Sequence, residues 1–169
     1  MNWEALAAVS ELVGAVAVVV TLAYVAIQIR QNTSALRSTA TQAAHDQASD
    51  LYDLLATDGT LAELFTRGLT APDALTAEQT ARFFALSMGF MFRYQNWYLQ
   101  TQSDLIDKEL LESWARVLRQ VSGTPGFKRF WQQRGYIFAP EFTAYLDREV
   151  FAAEPDPSYR PLGISPQAS

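Results

Sequence analysis

Hydrophobic positions along this chain follow two kinds of pattern. From Leu12 to Ile29 they form a run without a charged residue, interrupted only by Thr21, Tyr24 and Gln28 and bracketed by Glu11 and Arg30. Beyond Arg30 they return at spacings of three and four, as in helices that bury one face, and no stretch alternates as a half-buried strand would. The expected fold class is all-α: one N-terminal transmembrane helix continuing into a small cytoplasmic helical bundle.

The rise from Glu11 to Arg30 is about 28 Å at ~1.5 Å per residue, close to the ~30 Å of a bilayer's hydrocarbon. Val16, Val18, Val19 and Val20 are β-branched and lower helix propensity in water, whereas in lipid the backbone has no partner but itself. A cleaved signal needs a positive first region, and Glu4 and Glu11 stand there instead, with no Lys or Arg before Arg30. A wholly buried soluble helix is the alternative to a span. Arg30 and Arg37 follow the run, so the positive-inside bias puts the N-terminus outside and the body in the cytoplasm, as a single-pass protein of the cell inner membrane. The expected divisions are an anchor helix over 1–33, a helical bundle over 34–152 and a disordered tail over 153–169.

Within the bundle, Leu36, Ala40, Ala44, Ala48, Leu51 and Leu55 make one stripe, stopped by Gly59. No Pro or Gly separates this stripe from the apolar run, so one helix is expected to carry both. A short helix opens at Thr60, where Glu63 completes a capping-box pattern, and ends near Gly68. Thr76 and Gln79 repeat that pattern before a long helix bearing Phe83, Leu86, Ser87, Phe90, Met91, Tyr94, Trp97 and Tyr98, in which Gly89 marks a close crossing. Ser103 or Asp104 caps the next helix, with Leu110, Leu111, Trp114, Val117, Leu118 and Val121 inward, and Gly123 ends it. Pro125 and Pro140 open two further short helices carrying Phe127, Phe130 and Trp131, then Phe142, Tyr145, Leu146 and Val150.

Composition narrows the chemistry. At 169 residues, 49% of them hydrophobic, the chain is one domain's worth and can bury a core. A net charge of −5 excludes nucleic acid as a partner, since phosphate binding needs clustered Lys and Arg. With no Cys and one His, at position 45, there is no thiolate zinc site, no HExxH pair and no cysteine nucleophile. An ExxH pair of the di-iron kind fails because position 42 is Gln42. The expectation is no catalytic residue, no metal and no cofactor.

Three groups of residues remain as candidates. Ser10 and Gly14 would let a second helix approach closely, and Glu11 is an ionisable group at the edge of the run. On the long helix, Arg93, Tyr94, Gln95, Asn96, Tyr98 and Gln100 form a polar and aromatic patch. Arg93 there either pairs with Glu109 or Glu112, or joins Tyr94 and Tyr98 in an anion or ligand pocket. Lys128, Arg129 and Arg134 form a basic cluster that either touches anionic lipid or is simply solvated.

The stretches "ELVGAVAVVVTLAYVAIQIRQNTSALRS", "MFRYQNWYLQ", "LLESWARVLRQVSGTPGFKRFWQQR" and "FAPEFTAYLD" together resemble a widespread family of small uncharacterised bacterial proteins. The resemblance covers nearly all of the chain except the tail. It implies an N-terminal hydrophobic helix with a helical C-terminal domain, and it brings no established activity and no catalytic residue. The function expected is that of a membrane-anchored helical interaction or regulatory subunit without enzymatic activity. Its partners would be membrane lipid and either further copies of the chain, as a homo-oligomer, or a larger membrane complex. The alternative is a helical small-ligand sensor or enzyme built on the patch around Arg93.

Overall fold

The computed structural model describes residues 2–153, and among them every regular element is helical. The tail read as disordered lies outside the described residues, apart from Ala153. Helix α1 runs unbroken from Trp3 to Thr57. After Gly14 it holds neither Gly nor Pro, so nothing removes a hydrogen bond or loosens the backbone until Asp58 and Gly59. The chain divides after Thr39 into two compact units.

The first unit is helix alone. Every side chain described from Asn2 to Thr39 is exposed, and an 18-residue window of mean hydropathy 2.4 has none of its residues buried. Leu12, Val16, Val19, Leu22 and Ile29 are each more than half exposed, so the apolar surface runs round the whole helix. Its polar interruptions are satisfied internally. The Thr21 hydroxyl donates to the Ala17 carbonyl at 2.8 Å, and the Gln28 amide donates to the Tyr24 hydroxyl at 2.8 Å.

The second unit begins with the last turns of α1, where Ala44 is buried and Ala40, Ala48 and Leu55 pack on the core. Helix α2 (Gly59–Thr70) is capped by Asp58, whose carboxylate accepts the Leu61 N–H at 3.0 Å. The expected Thr60 and Glu63 box does not form, because Asp58 opens the helix two residues earlier, and Glu63 instead pairs with Arg67 across one turn. The helix also runs past Gly68, which is buried inside it.

Helix α3 (Ala77–Gln102) opens on the expected capping box: the Gln79 N–H donates to Thr76 Oγ1 and the Thr76 N–H donates to Gln79 Oε1. It buries Phe83, Ser87, Met91, Tyr94, Trp97 and Thr101, a stripe of the length and spacing that the sequence implies. Burying a large apolar side chain of this kind is worth ~1.5–3 kcal/mol, so α3 is the centre of the core. Helix α4 (Lys108–Ser122) starts later than expected. Asp104 sits at φ 54°, turning the chain, and Asp107 rather than Ser103 or Asp104 is the residue before the first helical turn.

Helix α5 (Pro125–Arg134) keeps its expected start, with the Thr124 hydroxyl accepting the Phe127 N–H at 3.3 Å. Helix α6 (Pro140–Tyr145) widens into a π-helical segment over Leu146–Phe151, and Phe142, Leu146 and Val150 are fully buried. The close crossing lies elsewhere than at Gly89, whose missing Cβ faces open space. It is between α2 and α5. A Cβ on Gly126 would stand 1.7 Å from the Gly68 carbonyl oxygen, and one on Gly68 would strike the Phe83 ring.

Candidate functional site

The residues singled out on α3 separate according to the helical turn. Arg93 and Tyr94 are neighbours in sequence and so lie ~100° apart round the helix. Tyr94 enters the core and is fully buried. Its hydroxyl meets that of Tyr145 at 3.1 Å, while Tyr98 stacks on the Tyr145 ring with centroids 4.8 Å apart. Phe142 packs against both Tyr94 and Tyr98. This is a closed aromatic cluster joining α3 to α6.

Burial pushes the Tyr94 phenol far above its ordinary range, and the neighbouring Tyr145 adds to that shift. Burial raises Tyr145 as well. Both therefore stay protonated near neutrality, which suits a structural hydrogen bond and not a general base. Gln95 is structural too. Its side-chain oxygen accepts the Ala139 N–H at 2.8 Å, holding the start of α6 against α3.

Arg93 takes a different path. It is half-buried and has no ion pair among the described residues. Glu112, expected as one of two partners, pairs instead with Arg119 of its own helix at 2.7 Å. Arg119 also donates to the Glu149 carbonyl in the π-helical segment at 3.0 Å, so this arginine ties α4 to that segment.

Arg93 lines an open cleft of about 320 Å³ between the end of α1, α3 and α4. His45, Tyr52, Phe90, Trp97, Ser113 and Trp114 share its walls. Trp97 and Trp114 meet edge to face, and the His45 ring lies 6.4 Å from that of Trp114. Ser113 is occupied as a donor by the Leu110 carbonyl at 2.7 Å. The Trp97 indole N–H is not: it is buried and has no hydrogen-bond partner. A buried polar group without a partner costs ~1–3 kcal/mol, so among the described residues Trp97 carries an unmet donor within the wall of the cleft that Arg93 lines.

Sequence reasoning reaches Arg93 because a cation on an apolar helix stands out. It misses Trp97, Trp114 and His45 as cleft residues. The spacing of four between Arg93 and Trp97 puts both on one side of α3, and the pattern alone reads that tryptophan as ordinary core.

The basic cluster is divided among different neighbours. Arg129 pairs with Asp73, Arg134 lies 5.7 Å above the Phe84 ring, and Lys128 is exposed. In the first unit Ser10, Glu11 and Gly14 lie within the first turns of α1, all exposed, with open space where a Cβ of Gly14 would stand. Among the described residues, no three His, Asp or Glu side chains gather as metal ligands. The chain matches no protein-family model, no curated protein and no solved structure.

Proposed function

We propose that the protein is a single-pass inner-membrane protein whose anchor holds a helical interaction or regulatory domain at the cytoplasmic face, without enzymatic activity of its own. The observation that carries this reading is the stretch from Leu12 to Ile29. It is apolar on every side, its side chains are exposed among the described residues, and its Thr21 and Gln28 side chains bond within the helix. Water disfavours such a surface and lipid favours it. The same helix then enters a unit with its own dense aromatic core, so the anchored part is a specified domain and not a floppy tether. Arg30 and Arg37 support the cytoplasmic side for that domain. Small residues at Ser10 and Gly14 favour contact with a second membrane helix, from another copy or from a larger complex.

The absence of cysteine makes the topology directly testable. Single cysteines introduced as Asn2→Cys and Asp50→Cys are exposed to a membrane-impermeant maleimide on intact spheroplasts and again after permeabilisation. Asn2→Cys should label in both conditions and Asp50→Cys only in the second. Labelling of Asp50→Cys on intact spheroplasts reverses the orientation, and identical labelling of both positions in all conditions removes the span.

A further inference from the structure

We infer that the cleft beside Arg93 binds a small aromatic monocarboxylate, such as a benzoate-like or phenylalkanoate-like acid. Three features of the cleft specify this class. Arg93 is half-buried and has no ion pair among the described residues, so its guanidinium offers a fork of donors suited to one carboxylate. Trp97, one helical turn away on the same wall, has a buried indole N–H without a partner among the described residues, so its resonance reports changes in that wall. Phe90, Trp97 and Trp114 supply aromatic surfaces, which recognise a ring by offset or edge-to-face packing. The volume of about 320 Å³ stands at the small end of the ~300–1,000 Å³ of small-molecule sites, room for one ring and a short acidic arm.

Charge selects among anions. Among the described residues Arg93 is the one permanently cationic side chain lining the cleft, which matches a single negative charge and under-compensates a phosphate dianion. The protein as a whole is acidic, so the cleft attracts its ligand through this local donor set and not through a general field. The site lies wholly within residues 40–153 and does not depend on the anchor.

The test uses the full chain in detergent micelles with nitrogen-15-labelled tryptophan, so that each indole N–H gives its own resonance. The Trp97 signal is assigned by its loss in Trp97→Phe. Benzoate, phenylacetate and 3-phenylpropionate are titrated in turn, with phenylacetamide as the uncharged control and inorganic phosphate as the competing anion. At least one acid should move the Trp97 signal saturably as its ring packs in the cleft. Phenylacetamide should bind roughly tenfold or more weakly than phenylacetate, and Arg93→Met should weaken the acid by a similar factor, as for a lost charge-assisted hydrogen bond. The amide comparison on the wild-type chain holds even if the Arg93 variant folds poorly. No saturable shift from any of the three acids overturns the assignment. So does equal binding of acid and amide, acid binding indifferent to Arg93→Met, or saturation by phosphate alone.

Discussion

The phenolic oxygens of Tyr94 and Tyr145 meet at 3.1 Å, one fully buried and the other partly so. The two share one hydrogen bond, and the fully buried Tyr94 hydroxyl has no other partner among the described residues. Removing one partner is therefore worse than removing both. Tyr145→Phe should lower stability by ~1–3 kcal/mol, because the Tyr94 hydroxyl is left buried and unpaired, whereas Tyr94→Phe combined with Tyr145→Phe should cost less than that. Thermal unfolding followed by the near-ultraviolet circular dichroism of the aromatic core reads both, and a double variant weaker than the single one contradicts the pairing. The same two residues set an alkaline limit. An unfolded tyrosine ionises at about 10, and burial holds both folded phenols above that value. Once the pH passes ~10 the folded state binds more protons than the unfolded one, so this contribution is complete below ~10 and declines as pH rises from there. The core signal should hold steady from neutrality to that point and then lose thermal stability, more in wild type than in the double phenylalanine variant.

At the scale of elements, the start of α3 was readable because a capping box is local: Thr76 and Gln79 need only each other. The start of α5 was readable for the same reason, from Thr124 and Pro125. The start of α2 was not, since Thr60 and Glu63 offer the same pattern two residues after Asp58, and only the folded backbone chooses between them. Close approaches are tertiary facts and leave still less trace. Gly89 lies in the middle of the longest core stripe and faces open space, while Gly126, between a Pro and a Phe, touches the backbone of α2. Substitution distinguishes the two. Gly89→Ala should raise stability by ~0.5–1 kcal/mol through helix propensity, and Gly126→Ala should lower it by ~3 kcal/mol or more, because its methyl has no place beside the Gly68 carbonyl. Denaturation midpoints of the two variants falling on the same side of wild type would contradict the α2 and α5 crossing. The cleft follows the same rule: Arg93 was visible as a cation among apolar residues, but its distance from Glu112 and its neighbourhood with Trp97, Trp114 and His45 depend on how three helices meet.

At the scale of the whole molecule, the chain joins two surfaces of opposite character. The described apolar side chains up to Thr39 are exposed, whereas the second unit has a buried core that includes Phe83, Tyr94, Trp97, Phe130 and Phe142. A soluble protein does not leave an apolar surface of that extent in water without a second body to cover it. The anchored reading supplies lipid as that cover, and it makes the helical bundle the part that meets other molecules. The most direct measurement is the fate of the full chain, expressed in bacterial cells, when isolated membranes are washed with alkaline carbonate and then with high salt. The protein should remain in the pellet through both washes and leave it only in detergent. Release of the full chain as a monodisperse soluble species in the carbonate wash would contradict the membrane anchor.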